Sequence, residues 1–142
     1  MRLALLASTF VLVPLMGRAQ SHAGHPSAGS GSAPEQPTVA DLDPKQLSAM
    51  LGTPKLFIYD CNEEDMFVEA HVPGAKLTIY DAVTAETLPT DLSATVVFYC
   101  YSPECPASTT AAHTAIKLGH TSVYTMLAGI TGWQDAGLPT EP

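Results

Sequence analysis

In VVFYCYSPECPAS (Val96–Ser108) an uninterrupted apolar run meets a cysteine, then a polar bend, then a second cysteine beside a proline. The run, extended back to Ala94, has the continuous hydrophobicity of a strand covered on both faces, as in a parallel sheet. It ends at Cys100. The bend Tyr101-Ser102-Pro103-Glu104 follows, and Cys105 stands before Pro106, a residue suited to the first turn of a helix. Ala107 and Ser108 then lead into TTAAHTAIKLGH, with Gly119 as the stop.

The flanking segments repeat this alternation. DLDPKQLSAML reads as a helix capped by Asp43, with Pro44 at its start and Gly52 at its end. KLFIYDC (Lys55–Cys61) is a second buried strand, and Asn62–Ala70 a helix with acidic residues in its first turn. KLTIY (Lys76–Tyr80) is a third extended piece, Asp81–Asp91 is a short helix or a loop, and TSVYTML (Thr121–Leu127) is the last strand, before a short helix around Trp133. Strands alternating with helices give an α/β fold with a largely parallel sheet. Ligands of such sheets bind beyond the carboxyl ends of the strands, where Cys61 and Cys100 both lie.

A cysteine at a strand tip, followed by a tight loop and a helix N-terminus, sits where backbone N–H groups and the helix dipole favour a thiolate. Such a thiolate can attack a sulfur donor, and the same donors can hold the anionic persulfide. The alternative is a small buried hydrophobe, as free cysteines often are. Cys105, five residues on, permits a disulfide without requiring one. C-x-x-x-x-C is a weaker redox signal than C-x-x-C. Cys61 comes within reach of Cys100 if their strands are neighbours, and otherwise fills the core.

The N-terminus differs in character. Arg2, an apolar stretch from Leu3 to Met16, and small residues at Gly17 and Ala19 make residues 1–19 a secretory signal peptide, the stretch being shorter than the roughly 20 residues of a spanning helix. Residues 20–37, rich in Ser, Gly, Ala, Pro and His, form a flexible linker, and residues 38–142 a single domain. The mature protein is therefore expected to be exported, periplasmic or secreted, and not transmembrane after cleavage. Cleavage also places His22 third in the chain, with His25 nearby, a nitrogen set suited to Cu(II) or Ni(II); a plain polar tether is the alternative.

The chain of 142 residues has six basic and 14 acidic side chains, a formal charge of −8. Loss of Arg2 and Arg18 with the signal leaves four lysines and no arginine. That composition disfavours nucleic acid and anionic membrane surfaces as partners. Three cysteines in an exported chain leave one thiol over when two pair.

Four motifs, in order and at suitable spacing, resemble those of a single-domain rhodanese-like protein. LFIYDCN is similar to the family's strand ending in Asp-x-Arg, EAHVPGA to its Gly-His-Ile-Pro-Gly-Ala turn, VVFYC to the strand delivering the active cysteine, and VYTMLAGITGWQDAGLPT to its Gly-Gly-Ile…Trp…Gly-x-Pro ending. The resemblance implies a five-stranded parallel sheet flanked by helices, with Cys100 as the persulfide-forming nucleophile and Tyr101–Ala107 as the loop around the transferred sulfur. It makes Asp60 and His71 supporting residues that hold turns. It implies a small sulfur donor or thiol acceptor, or a partner protein delivering sulfur; the sequence shows no cofactor-binding motif, so no cofactor is expected.

The loop departs from the family pattern. With the loop longer by about two residues, Ser108 takes the place of the helix-starting serine and Ala107 that of the loop arginine; with no insertion, Cys105 falls there. Asn62 replaces the arginine of Asp-x-Arg. An arginine–oxyanion contact is about twice as strong as a neutral one, so thiosulfate and phosphate esters are disfavoured as substrates. Three functions stay open on sequence alone: a sulfurtransferase or persulfide carrier using Cys100, with Cys105 as resolving thiol or bystander; a redox module cycling a disulfide between Cys100 and Cys105, or between Cys61 and either; and a binding module that keeps the fold without the chemistry.

Overall fold

The computed structural model describes residues 38–142, so the signal peptide, the linker and the histidine pair His22 and His25 lie outside the described residues. Ala40–Asp41 form a short first strand, β1, followed by helix α1 (Pro44–Met50). Asp43 starts α1 with a capping box: its carboxylate accepts from the Lys45 and Gln46 N–H groups while the Gln46 side chain accepts from the Asp43 N–H. Then come β2 (Leu56–Asp60), α2 (Glu64–Glu69), β3 (Lys76–Leu77), β4 (Thr95–Tyr99), α3 (Ala107–Lys117), β5 (Ser122–Met126) and α4 (Gly129–Asp135).

The five strands form one sheet in the order β1-β5-β4-β2-β3, every pairing parallel. The α/β class and the five-stranded parallel sheet flanked by helices are as expected. β4 is central and buried on both faces, which is why its sequence is apolar without alternation. Side chains nevertheless alternate in direction along it. Val96, Phe98 and Cys100 enter the core layer shared with α3, whereas Val97 and Tyr99 enter the layer with Leu47 of α1 and Ile130 and Trp133 of α4. The small residues Ala111, Ala112 and Ala115 let α3 lie close against the sheet.

Some expected elements are shorter. The extended piece Lys76–Tyr80 pairs over only two residues, Lys76 and Leu77 opposite Tyr59 and Asp60; the Thr78 N–H still donates to the Asp60 carbonyl, and the chain then leaves the sheet. The helix expected from Asn62 begins at Glu64, since the Asn62 N–H is held by the Asp60 carboxylate in a turn. Residues 81–91 form turns, not a helix, tied by the Thr84–Thr87 bonds and by the Tyr59 hydroxyl donating to the Thr87 carbonyl.

Candidate functional site

Parity along β4 sends Cys100 toward α3 at the carboxyl end of the sheet, where it is only 4% exposed. Strand β2 lies beside β4 in register, Asp60 opposite Tyr99, so the next residues, Cys61 and Asn62, reach the same end. The Cys61 N–H donates to the Tyr99 carbonyl, continuing the ladder one residue beyond the strand. Asn62 Oδ1 stands 3.6 Å from Cys100 Sγ.

Residues 101–106 fold back over the strand end. The Cys105 N–H donates to the Ser102 carbonyl, and the Ser102 hydroxyl donates to Glu104, which holds the Glu104 carboxyl below its ordinary pKa. This turn brings Cys105 onto Cys100, and the two form a disulfide with a Cα–Cα separation of 6.2 Å. Cys100 is therefore inactive as a nucleophile in this state. Its thiol is freed only when a reductant opens the bond.

The other wall of the loop comes from α4. The Ile130 and Thr131 N–H groups donate to the carbonyls of Cys100 and Tyr101, and the Thr131 hydroxyl also donates to Tyr101. Gly129 permits this approach. It has φ +66°, and a Cβ there would stand 2.7 Å from the Ser102 backbone nitrogen. Neither Gly129 nor Thr131 was expected as a site residue; the only signal in the sequence is the glycine in LAGIT.

Asp60 and His71 act on turns. The Tyr99 hydroxyl donates to Asp60 at 2.5 Å and accepts from the Val72 N–H, linking the end of β2 to the turn after α2. Burial pushes the Asp60 carboxyl up, and the Tyr99 hydroxyl and Asn62 N–H oppose that by holding its ionised form. His71 stacks on Phe67, its Nδ1 contacts the Phe67 carbonyl, and its backbone pairs with Glu141. Neither residue lines the cavity that holds the Cys100–Cys105 disulfide. Ser108 is buried at the start of α3.

Cys61 is the free thiol among the described residues, buried and with its pKa pushed up to about 12 by desolvation first and by Asp60 second. A thiol so rarely ionised is a poor nucleophile. Alkylation of native protein by iodoacetamide at pH 8 should therefore label Cys61 at least about a hundredfold slower than a small free thiol, and unfolding should restore ordinary labelling. Rapid native labelling would mean that Cys61 is exposed or activated.

A cavity of about 230 Å³ opens above the disulfide, lined by Cys61, Asn62, Glu63, Met66, Tyr80, Tyr101 and Ala107 as well as both bonded cysteines. Among the described residues no lysine or arginine lines it. A larger cavity, about 320 Å³, lies at the amino end of β5 around His120, but it contains no thiol and its lining is hydroxyl-bearing and apolar otherwise. The smaller cavity is the candidate site. Among the described residues no cluster of His, Cys, Asp and Glu is suited to hold a metal.

Residues 43–136 match the family model described as the rhodanese-like domain. No curated protein matches the sequence. Among solved structures, the chain is similar to the BH2092 protein of Bacillus halodurans (24% identity, TM-score 0.64, covering 72% of this chain and 76% of that one). It is similar to the thiosulfate sulfurtransferase of Pseudomonas aeruginosa (26%, 0.65, covering 89% of this chain but only 24% of that one). The 3-mercaptopyruvate sulfotransferase SseA of Escherichia coli shares the fold at 20% identity and TM-score 0.60, over 73% of this chain and 50% of its own.

Proposed function

Because this chain belongs to the rhodanese-like domain family, we propose that it is an exported sulfurtransferase or persulfide carrier in which Cys100 bears the sulfur and Cys105 guards it. The position of Cys100 carries the reading: it ends the central strand, faces a cavity, and lies where α4 and the loop converge. The 26% identity with a thiosulfate sulfurtransferase supports the reaction class. The disulfide supports export, since such bonds persist in oxidising compartments.

After reduction, the Cys100 thiolate attacks the outer sulfur of a donor R–S–SH; a Cys100–S–SH persulfide forms and RS⁻ leaves. An acceptor thiolate then attacks that outer sulfur, becomes the new persulfide, and returns Cys100 as a thiolate. Without an acceptor, Cys105 closes the cycle. Its thiolate attacks Cys100 Sγ, hydrosulfide leaves, and the Cys100–Cys105 disulfide re-forms. Cys105 thus discharges a stranded persulfide and protects Cys100 from further oxidation.

The cationless lining selects the donor. An alkyl persulfide, whose reacting end is small and carries at most one negative charge, fits better than thiosulfate, a dianion that meets Glu63 and, among the described residues, no positive side chain. Steady-state transfer by the reduced protein to a thiol acceptor should be at least about tenfold faster from the alkyl persulfide, as judged by kcat/KM. Equal use of thiosulfate would contradict the reading.

The disulfide also favours a second reading, a thiol–disulfide module that passes electrons without carrying sulfur. The two part at one measurement. A sulfur carrier gains the mass of one sulfur atom per chain after reduction and exposure to the donor, whereas a redox module returns to the disulfide without ever holding that sulfur.

A further inference from the structure

Three cavities lie side by side along the carboxyl ends of the strands, of about 270, 230 and 140 Å³. The first shares Cys61, Asn62, Glu63 and Tyr80 with the second, and the second shares Met66 and Tyr101 with the third. They make one groove, and the Cys100–Cys105 disulfide forms part of its middle. We propose that this groove takes an extended, basic, cysteine-bearing segment of a partner protein, whose thiolate opens the disulfide at Cys105. This rests on the sulfur-handling reading of Cys100 and adds to it the class of the partner.

Length and surface chemistry argue for a peptide over a small donor. Ile79 (67% exposed), Tyr80 (41%), Met66 (40%) and Tyr101 (50%) follow one another along the groove. Single exposed apolar residues need no explanation, but a row of them flanking a reactive bond marks a surface to be covered. An extended segment places alternate side chains on such a row.

Charge selects the partner's composition. Glu63, Glu64 and Glu69 line the groove, and none of the domain's four lysines does. A segment carrying Lys or Arg between apolar residues satisfies both features, and the acidic rim speeds its arrival. A second copy of this chain, itself at −8, would bring like charge to the groove.

Accessibility fixes the point of attack. Cys100 is 4% exposed, whereas Cys105 is half-buried. The partner's thiolate attacks Cys105 Sγ, a partner–Cys105 disulfide forms, the Cys100–Cys105 bond breaks, and its electron pair stays on Cys100 Sγ as thiolate. A second partner thiol then displaces Cys105, so that the partner leaves as a disulfide and the domain as a dithiol with Cys100 ready to accept sulfur.

The test uses the full oxidised chain and two synthetic peptides, Ac-Lys-Leu-Cys-Leu-Lys-NH2 and Ac-Glu-Leu-Cys-Leu-Glu-NH2. Mixed-disulfide formation is followed by acid quench and mass spectrometry, with rates expressed per thiolate. The basic peptide should react at least about tenfold faster, lose most of that advantage at 1 M salt, and be linked to Cys105. Glu63→Lys combined with Glu64→Lys should erase the preference; the salt dependence of the unmutated protein tests the same point without a variant. Equal rates per thiolate, a salt-independent preference, or linkage to Cys100 would overturn the proposal. Loading of reduced wild-type protein with a small alkyl persulfide is measured alongside. Sulfur on Cys100 without a peptide preference defeats the groove alone, and a peptide preference without sulfur on Cys100 defeats the sulfur-handling reading alone.

Discussion

Cys100→Ser protein, reduced and mixed with an alkyl persulfide, will take up no sulfur, and its transfer to a thiol acceptor will fall to the uncatalysed background. A serine hydroxyl at neutral pH cannot attack a sulfane sulfur or bear a persulfide, so the whole covalent route is lost. The remaining thiols do not replace it. Cys61 is buried with a pKa pushed up to about 12, and Cys105 lies on the loop outside the end of the central strand. The substitution is nearly isosteric at a site bounded by Asn62 and the loop, so circular dichroism should show an intact fold. Full activity in this variant would place the chemistry on another residue.

Gly129→Ala will be among the most damaging single-methyl changes in the domain. The residue adopts φ +66°, which strains any side chain, and its new Cβ would meet backbone: the Tyr101 carbonyl group and the Ser102 nitrogen at 2.7 Å. Backbone cannot rotate away as a flexible side chain can. Relief requires moving the 101–106 loop or the start of α4, and with it the bonds from Ile130 and Thr131 to Cys100 and Tyr101. Urea denaturation should show a loss of about 2 to 4 kcal/mol, the sum of conformational strain and overpacking. The displaced loop should also lower sulfur transfer in whatever protein stays folded. A change of under about 0.5 kcal/mol, the size of an ordinary surface substitution, would mean that the loop does not rest on Gly129.

The central strand was readable because burial on both faces leaves a continuous apolar run, and the same parity that hides Val97 and Tyr99 under α1 and α4 sends Cys100 toward α3. The cap at Asp43 was readable because capping is local. Residue patterns did not reveal β1, whose two exposed residues pair with β5 across the whole sequence; only the family resemblance implied a fifth strand. Nor did they show β3 stopping at Leu77, opposite the last residue of β2.

The site divides along the same line. Cys100, its loop and the missing cation are sequence features, and so was the possibility of a Cys100–Cys105 bond. That the bond is closed depends on the Ser102 turn and the grip of α4, which no spacing rule supplies. Asn62 beside the sulfur, and Met66, Tyr80 and Tyr101 around it, come from three separate segments. Their convergence is a property of the folded chain.

Peptide mapping of the sulfur state tests the account most directly. Protein isolated without reductant should yield a linked peptide pair containing Cys100 and Cys105, with Cys61 free. After reduction, removal of reductant and brief exposure to an alkyl persulfide, the peptide containing Cys100 should carry one added sulfur atom, while those containing Cys61 and Cys105 carry none. Added sulfur on Cys61 or Cys105, or prompt return of the Cys100–Cys105 disulfide with no sulfur ever trapped on Cys100 even in Cys105→Ser protein, would contradict it.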